Sequence, residues 1–217
     1  MSGTPGQSAG IEAGLRRGAG VAGATGAEDG AARAARRLGD RIAAEGLADV
    51  GYTSVDSPLG RLLIAATRRG LVRVAFADED SDAVLETLAR ALSPRIVETP
   101  APLEPVRREL EEYFAGRRRN FEISLDWTLI GGFRRRVLRA TSAIPYGGVL
   151  SYGEIAAEAG SPRGSRAAGN ALGANPIPIV IPCHRVLRSG GALGGYGGGL
   201  ERKRLLLELE GAPAPVR

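Results

Sequence analysis

The chain carries one cysteine and one histidine in 217 residues, and they are neighbours, Cys183 and His184. Chemistry that uses a thiol or an imidazole must therefore happen here. A thiolate rather than a thiol is the attacking species, and a nearby base makes more of it. One cysteine cannot form an intramolecular disulfide, and one Cys with one His cannot make a Cys/His zinc centre. A reducing compartment follows, and the cytoplasm is the expected location. The pair sits at the end of Asn175-Pro-Ile-Pro-Ile-Val-Ile-Pro-Cys-His-Arg185. Ile177, Ile179 and Ile181 alternate with Pro178, Val180 and Pro182, which predicts a short, buried, extended rail, because the prolines forbid a helix or a regular central strand. In an extended chain consecutive side chains point to opposite faces, so Cys183 and His184 need a turn or a bridging water to communicate.

The elements that must hold this segment can be read on either side of it. Upstream, Ser151-Tyr-Gly-Glu154 matches a capping box and Gly160 a helix stop. A second helix is expected from about Arg163 or Ser165 to Gly173, which makes the pair a helix-turn-helix candidate. The second helix is nearly bare, with Ala167, Ala168, Gly169, Ala171 and Gly173. Glycines weaken a helix by about 1 kcal/mol each, so the surface suits close approach to a groove or to a neighbouring helix. Downstream, residues 189 to 199 form a glycine-rich loop with one aromatic, Tyr196, and no P-loop ending. A wing or lid over a flat ligand fits it. Leu200 to Glu210 reads as a closing helix with Leu205, Leu206 and Leu209 inward. Before this region, Phe133, Val137, Leu138 and Thr141 predict a helix that Pro145 ends, with Arg134, Arg135 and Arg136 facing water or phosphate.

An N-terminal α/β unit over residues 49 to 127 is expected to be scaffold. Tyr52–Ser57, Arg61–Thr67 and Leu71–Phe76 predict an antiparallel meander. Ser81 is the expected N-cap of a helix with Val84, Leu85, Leu88 and Leu92 on one face. Residues 94 to 105 read as a connection, followed by a helix presenting Val106, Leu110, Tyr113 and Phe114, and by a strand at Phe121, Ile123 and Leu125. Residues 1 to 48, rich in Gly, Ala and Arg, are expected to be disordered, with a helix possible from Gly30 to Leu47 along Leu38, Ile42 and Leu47. Residues 214 to 217 are expected to be a loose tail.

Charge favours a polyanionic partner. Residues 128 to 217 hold 12 basic and 5 acidic side chains, net +7, against net −2 for the first 127. No apolar run approaches membrane-spanning length, so no membrane partner is expected.

Taken together, Pro182-Cys-His-Arg-Val186, Asn175-Pro176, Arg166-Ala-Ala-Gly169, Gly194-Gly-Tyr196, Gly199-Leu200, Lys203, Ile144-Pro-Tyr-Gly147 and Ser151-Tyr152 resemble the O6-alkylguanine-DNA alkyltransferases. The resemblance is strong over residues 131 to 211 and weaker over 52 to 127. It implies an α+β protein: a ribonuclease-H-like α/β subdomain with an antiparallel meander, then a winged-helix (helix-turn-helix) alkyltransferase domain over 128 to 213. It also implies a monomer that needs no cofactor or metal and that binds double-stranded DNA containing O6-alkylguanine, in the minor groove and with the base flipped. Cys183 would take the alkyl group once and irreversibly. His184 would accept the thiol proton through a water, oriented by Glu210, while Asn175 would hold the turn before the nucleophile. Tyr152 would hydrogen-bond the guanine N3, and Arg166 would fill the space of the extruded base. Tyr196 would wall the pocket, and backbone groups of Cys183, Val186 and Gly197 would read the base. Ala167, Gly169, Pro178 and Arg185 complete the implied DNA and substrate contacts. A lesion sensor or transcription regulator that binds without transferring is the alternative. A cysteine hydrolase would need an oxyanion site and a direct Cys-His contact.

Overall fold

The computed structural model describes residues 22 to 213, so the expectations for residues 1 to 21 and 214 to 217 lie outside the described residues. The described residues from 36 onward form one compact unit. Helix α1 (Ala22–Ala44) covers most of the stretch from residue 30 to 47 where a helix is possible and starts earlier, within residues expected to be disordered. Its alanines and arginines are strong helix formers, and that local preference prevails where large apolar side chains are few. The expected stripe is not the packing face, because Leu38 and Leu47 are exposed. Gly39 is buried instead, so close to Glu98 that a Cβ would lie 2.0 Å from its carbonyl oxygen. Next to it, Asp40 accepts from the Thr99 hydroxyl at 2.7 Å.

Strands β1 (Val50–Val55), β2 (Leu62–Thr67) and β3 (Gly70–Ala75) form the antiparallel meander. β4 (Ile96–Glu98) adds in parallel to β1, giving the order β3-β2-β1-β4. That strand falls in the stretch expected to be a connection; three residues are too few to show an alternation. Alternate side chains of β2 enter two cores. Leu62 and Ile64 join the main core with α3 (Glu104–Phe114), while Leu63 and Ala65 pack with Leu88 of α2 (Ser81–Ala91). Asp80, not Ser81, caps α2, accepting from the Asp82 amide at 3.0 Å. The strand expected at Phe121, Ile123 and Leu125 does not form. That segment meets β3 only through the Leu71–Leu125 bridge and the Leu71 amide, which donates to Ser124 at 2.8 Å. Phe121 and Ile123 spend their apolar surface on the core around Tyr113 instead.

The second half is helical: α4 (Gly132–Ser142), α5 (Tyr152–Glu158), α6 (Ser165–Gly173) and α7 (Leu200–Leu209), with a two-residue parallel pair, β5 (Leu150–Ser151) and β6 (Val186–Leu187). The capping box forms: the Ser151 hydroxyl accepts from the Glu154 amide at 3.2 Å, and Glu154 accepts from the Ser151 amide at 2.6 Å. Such a cap stabilises a helix by about 1 kcal/mol. Gly160, with φ 78°, follows α5 in the left-handed conformation glycine adopts readily. Ala168, Ala171 and Leu172 bury one face of α6, while Ala167 and Asn170 stay exposed.

Two expectations about helix faces are corrected. Arg134 and Arg135 are half-buried rather than turned wholly to water, while Arg136 is exposed. They donate to the carbonyls of Leu129 at 2.6 Å, of Ile130 at 2.7 Å and Trp127 at 2.6 Å, and of Ala159 at 2.9 Å, respectively. In α7, Leu205 is 48% exposed, and Lys203, Leu206 and Leu207 are the buried residues. A lysine occupies the place an apolar pattern would assign to leucine. Among the described residues no helix is long and apolar enough to cross a membrane.

Candidate active site

The segment before Cys183 is buried as expected but is not extended. Ile177, Ile179 and Ile181 are fully buried, which contributes about 1.5–3 kcal/mol for each side chain. Successive turns shape it: the Ile181 amide donates to Ile177 at 2.9 Å, and the Cys183 amide donates to Ile181 at 2.8 Å. Ile179 has φ 74°, a left-handed conformation that costs a β-branched residue about 1–3 kcal/mol. Asn175 holds the coil closed. Its Oδ1 accepts from the Ile177 amide at 3.0 Å, and its Nδ2 donates to the Ile181 carbonyl at 2.9 Å and to Cys183 Sγ at 3.1 Å. Edge strand β3 steadies the same corner, because the Val74 amide donates to Pro176 at 2.9 Å.

Cys183, His184 and Arg185 form a single 3-10 turn, which replaces the opposed faces expected of an extended chain. Burial pushes the Cys183 thiol up to about 11, against the opposing pull of the Asn175 amide and Lys203. His184 is fully buried, and burial lowers its pKa despite the Glu210 carboxylate beside it. Its Nε2 donates to Glu210 Oε1 at 2.9 Å, which leaves Nδ1 as the free acceptor. That Nδ1 and the Tyr196 hydroxyl are the buried side-chain polar atoms without a partner among the described residues.

Glu210, the C-cap of α7, gathers the charged groups. Arg185 donates to it from Nε and Nη2, both at 2.8 Å, and the Tyr113 hydroxyl donates to Oε1 at 2.6 Å. Burial opposes ionisation of Glu210, but the His184 and Arg185 hydrogen bonds outweigh it and hold the carboxyl at about 2. Arg185 also donates to the Ile144 carbonyl at 2.6 Å and is only 6% exposed. It therefore cannot reach a ligand, which corrects its expected place among the DNA contacts; a buried carboxylate binds the guanidinium fork more tightly than solvent.

Lys203 was not assigned a role by its spacing, yet it fastens the glycine-rich loop. It is fully buried, and its Nζ donates to the carbonyls of Val186 at 2.6 Å, Gly195 at 3.3 Å and Leu193. Burial lowers its pKa to about 8. One signal for it is visible in composition: it is the only lysine among 29 basic residues. For Tyr113 and Arg185 no local signal exists.

Around Cys183 the surface opens into a cavity of about 580 Å³ between α6 and the glycine-rich loop. Tyr152, Arg166, Gly169, Tyr196 and Gly197 line it, so the structure brings these expected residues together. Arg166 in this lining is exposed, as is Ala167 next to it on α6. Tyr152 donates to the Gly195 carbonyl at 3.1 Å, and burial, reinforced by Cys183, raises its pKa. Val186 lies outside the lining; its carbonyl accepts from Lys203, which leaves one lone pair. Pro178 faces a second groove of about 570 Å³ that also reaches Cys183, with Phe76, Val84 and Thr87 on its far wall. No cluster of metal-binding side chains occurs among the described residues.

This arrangement combines a buried thiol, a neighbouring histidine whose Nδ1 has no partner among the described residues, a cavity of about 580 Å³ and an exposed arginine in its lining. Known proteins resemble the chain in sequence and fold. The sequence pattern of the ribonuclease-like domain of 6-O-methylguanine DNA methyltransferase matches residues 50 to 127, and that of its DNA-binding domain matches residues 132 to 212. A methylated-DNA–protein-cysteine methyltransferase of Mycolicibacterium paratuberculosis is 42% identical over 77% of this chain and 96% of its own length. The inducible enzyme of that name from Bacillus subtilis is 41% identical over 68% of this chain and 82% of its own. Among solved structures, Mycobacterium tuberculosis OGT in complex with DNA superposes with a TM-score of 0.63 at 39% identity, over 76% of this chain and 96% of that one. With both domains matched in order across most of its length, the chain belongs to the 6-O-methylguanine DNA methyltransferase family.

Proposed function

We propose that the protein repairs DNA by moving the alkyl group of O6-alkylguanine onto Cys183. The observation that carries this reading is that Cys183 lines the cavity and is followed in the same 3-10 turn by His184, whose imidazole is held by Glu210. The thiol proton passes through a water to His184 Nδ1, while Glu210 holds the imidazole in that tautomer. Sulfur attacks the alkyl carbon in line, the S–C bond forms, and the C–O6 bond breaks with its electron pair moving into the guanine ring. Tyr152 donates a hydrogen bond at N3 as this charge develops; the guanine anion takes a proton from water as it leaves, and His184 gives the thiol proton back to water, so that no net proton is lost or gained. The thioether that remains has no comparable leaving group, so each molecule acts once and needs no cofactor.

A base inside a duplex cannot present O6 to a buried thiol, so the nucleotide is flipped, with Arg166 entering the gap. Helices α5 and α6 act as the helix-turn-helix of a winged-helix domain. The exposed small face of α6, with Ala167, suits the narrow minor groove. Tyr196 walls the base and Gly197 presents its backbone, while Pro178 and the second groove receive the alkyl group. The protein works as a monomer in the cytoplasm.

Duplex DNA with a radiolabelled O6-methyl group tests the reading. Label should move to protein in at most one equivalent and be lost with Cys183→Ala. Tight binding without transfer would instead support the lesion-sensor alternative.

A further inference from the structure

The Tyr113 ring is locked in the main core, 5.1 Å from the Phe121 ring and 5.4 Å from that of Phe114, and is fully buried. It lies on the inward face of α3 with Val106 and Leu110. Its hydroxyl crosses to the other domain and donates to Glu210 Oε1, the same oxygen that accepts from His184 Nε2. An oxygen shared among donors gives less of its charge to each. The hydroxyl is neutral, and burial raises its pKa further, so it stays a donor at working pH.

We infer that Tyr113 is a positioning residue of the proton relay: the ribonuclease-like domain uses it to fix Glu210 and to moderate the charge that Glu210 presents to His184. The scaffold expected over residues 49 to 127 is thereby part of the working site. A less neutralised carboxylate would stabilise imidazolium, and a protonated His184 cannot accept the thiol proton. The other ionisable groups that face this cluster are Arg185, Lys203, Cys183, Tyr196 and Tyr146. None of them is changed by removing the Tyr113 hydroxyl. The relay role rests on the alkyltransferase reading, but the coupling of Tyr113 to His184 does not.

Tyr113→Phe keeps the ring and deletes the donor. His184 is the only histidine, so its imidazole resonances are unambiguous in the DNA-free protein. In the variant the buried Nε2 proton should move downfield, and the acid limb of alkyl transfer should shift to higher pH by about half a unit, a roughly threefold loss of rate on that limb. DNA affinity should not change. 3-Fluorotyrosine placed at position 113, a stronger donor of nearly the same shape, should move the Nε2 proton the opposite way, which guards against a packing defect in the phenylalanine variant. An unmoved Nε2 proton in both proteins, with superimposed acid limbs, would overturn the inference. Failure of the wild-type protein to transfer a methyl group would overturn only the proposed function, because the resonance shift is read without DNA.

Discussion

The Nζ of Lys203 lies 2.6 Å from the carbonyl oxygen of Val186, so the single lysine ties helix α7 to the strand that leaves the nucleophile. The same ammonium holds Leu193 and Gly195 in the glycine-rich loop. Lys203→Met conserves length but takes this donor from the Val186 and Leu193 carbonyls, while Gly195 keeps the Tyr152 hydroxyl. Each buried carbonyl left unpaired costs about 1–3 kcal/mol, offset in part by no longer burying a charge. Thermal unfolding should show a net loss of about 2 kcal/mol, and transfer from duplex DNA should slow as the loop loosens around Tyr196. Lys203→Arg should not restore the wild type, because a planar fork cannot reproduce three diverging bonds from one nitrogen. Full stability and rate in either variant would refute the clamp.

Glu210 makes stability depend on pH in a defined window. Its folded pKa, about 2, lies below the ordinary 4.5. For a depressed carboxyl the contribution is present above the unfolded pKa and disappears as pH falls through the folded one. Stability from this group should therefore be complete above pH 4.5 and decline towards pH 2. Glu210→Gln would leave the buried Arg185 guanidinium without its counter-charge, a loss of about 3–5 kcal/mol at neutral pH. Denaturant unfolding followed from pH 7 down to pH 2 should show a smaller acid loss in the variant than in the wild type.

Arg166 is exposed at the mouth of the cavity, whereas Arg134, Arg135 and Arg185 are engaged within the protein. If Arg166 fills the place of the extruded base, Arg166→Ala should slow repair of duplex DNA by about 10-fold or more, since flipping costs a few kcal/mol. Reaction with free O6-benzylguanine, which needs no flipping, should be nearly unchanged. Equal loss on both substrates would place the arginine in the chemistry instead.

Much of this was legible because the signals are local. Short runs broken by the turn residues 58 to 60 and 68 to 70 mark β1 to β3, and the Ser151–Glu154 box marks the start of α5. The uniqueness of Cys183 and His184 marks the site itself. The residues that complete the site lack such signals. Tyr113 and Glu210 are 97 positions apart, and an inward tyrosine on α3 looks like any core aromatic until α7 docks against it. Arg185 follows the nucleophile in a basic half of the chain, which suggests phosphate; only the fold shows a buried carboxylate waiting for it. Alternating isoleucines and prolines suggest an extended rail, since nothing in a β-branched side chain announces the left-handed backbone of Ile179. Tertiary hydrogen bonds, above all those of Asn175, impose that coil.

That coil makes Asn175 the last test. Its amide is the direct donor to the nucleophile, and it also spans the turn that contains the strained Ile179. Asn175→Ala removes a hydrogen bond that lowers the pKa of a thiol already pushed up to about 11, so the thiol should become still less acidic. Without the brace the coil should relax, releasing about 1–3 kcal/mol of backbone strain while losing hydrogen bonds worth about 1 kcal/mol each. The net change in stability should thus be small, and the change in reactivity large. Alkylation of Cys183 by iodoacetamide, measured against pH, should show its midpoint move upward, and methyl transfer should fall by about 10-fold or more. Asn175→Ser, too short to reach both the Ile181 carbonyl and Sγ, should resemble alanine. A large loss of stability with unaltered thiol titration would mean that Asn175 only holds the coil and does not tune the nucleophile.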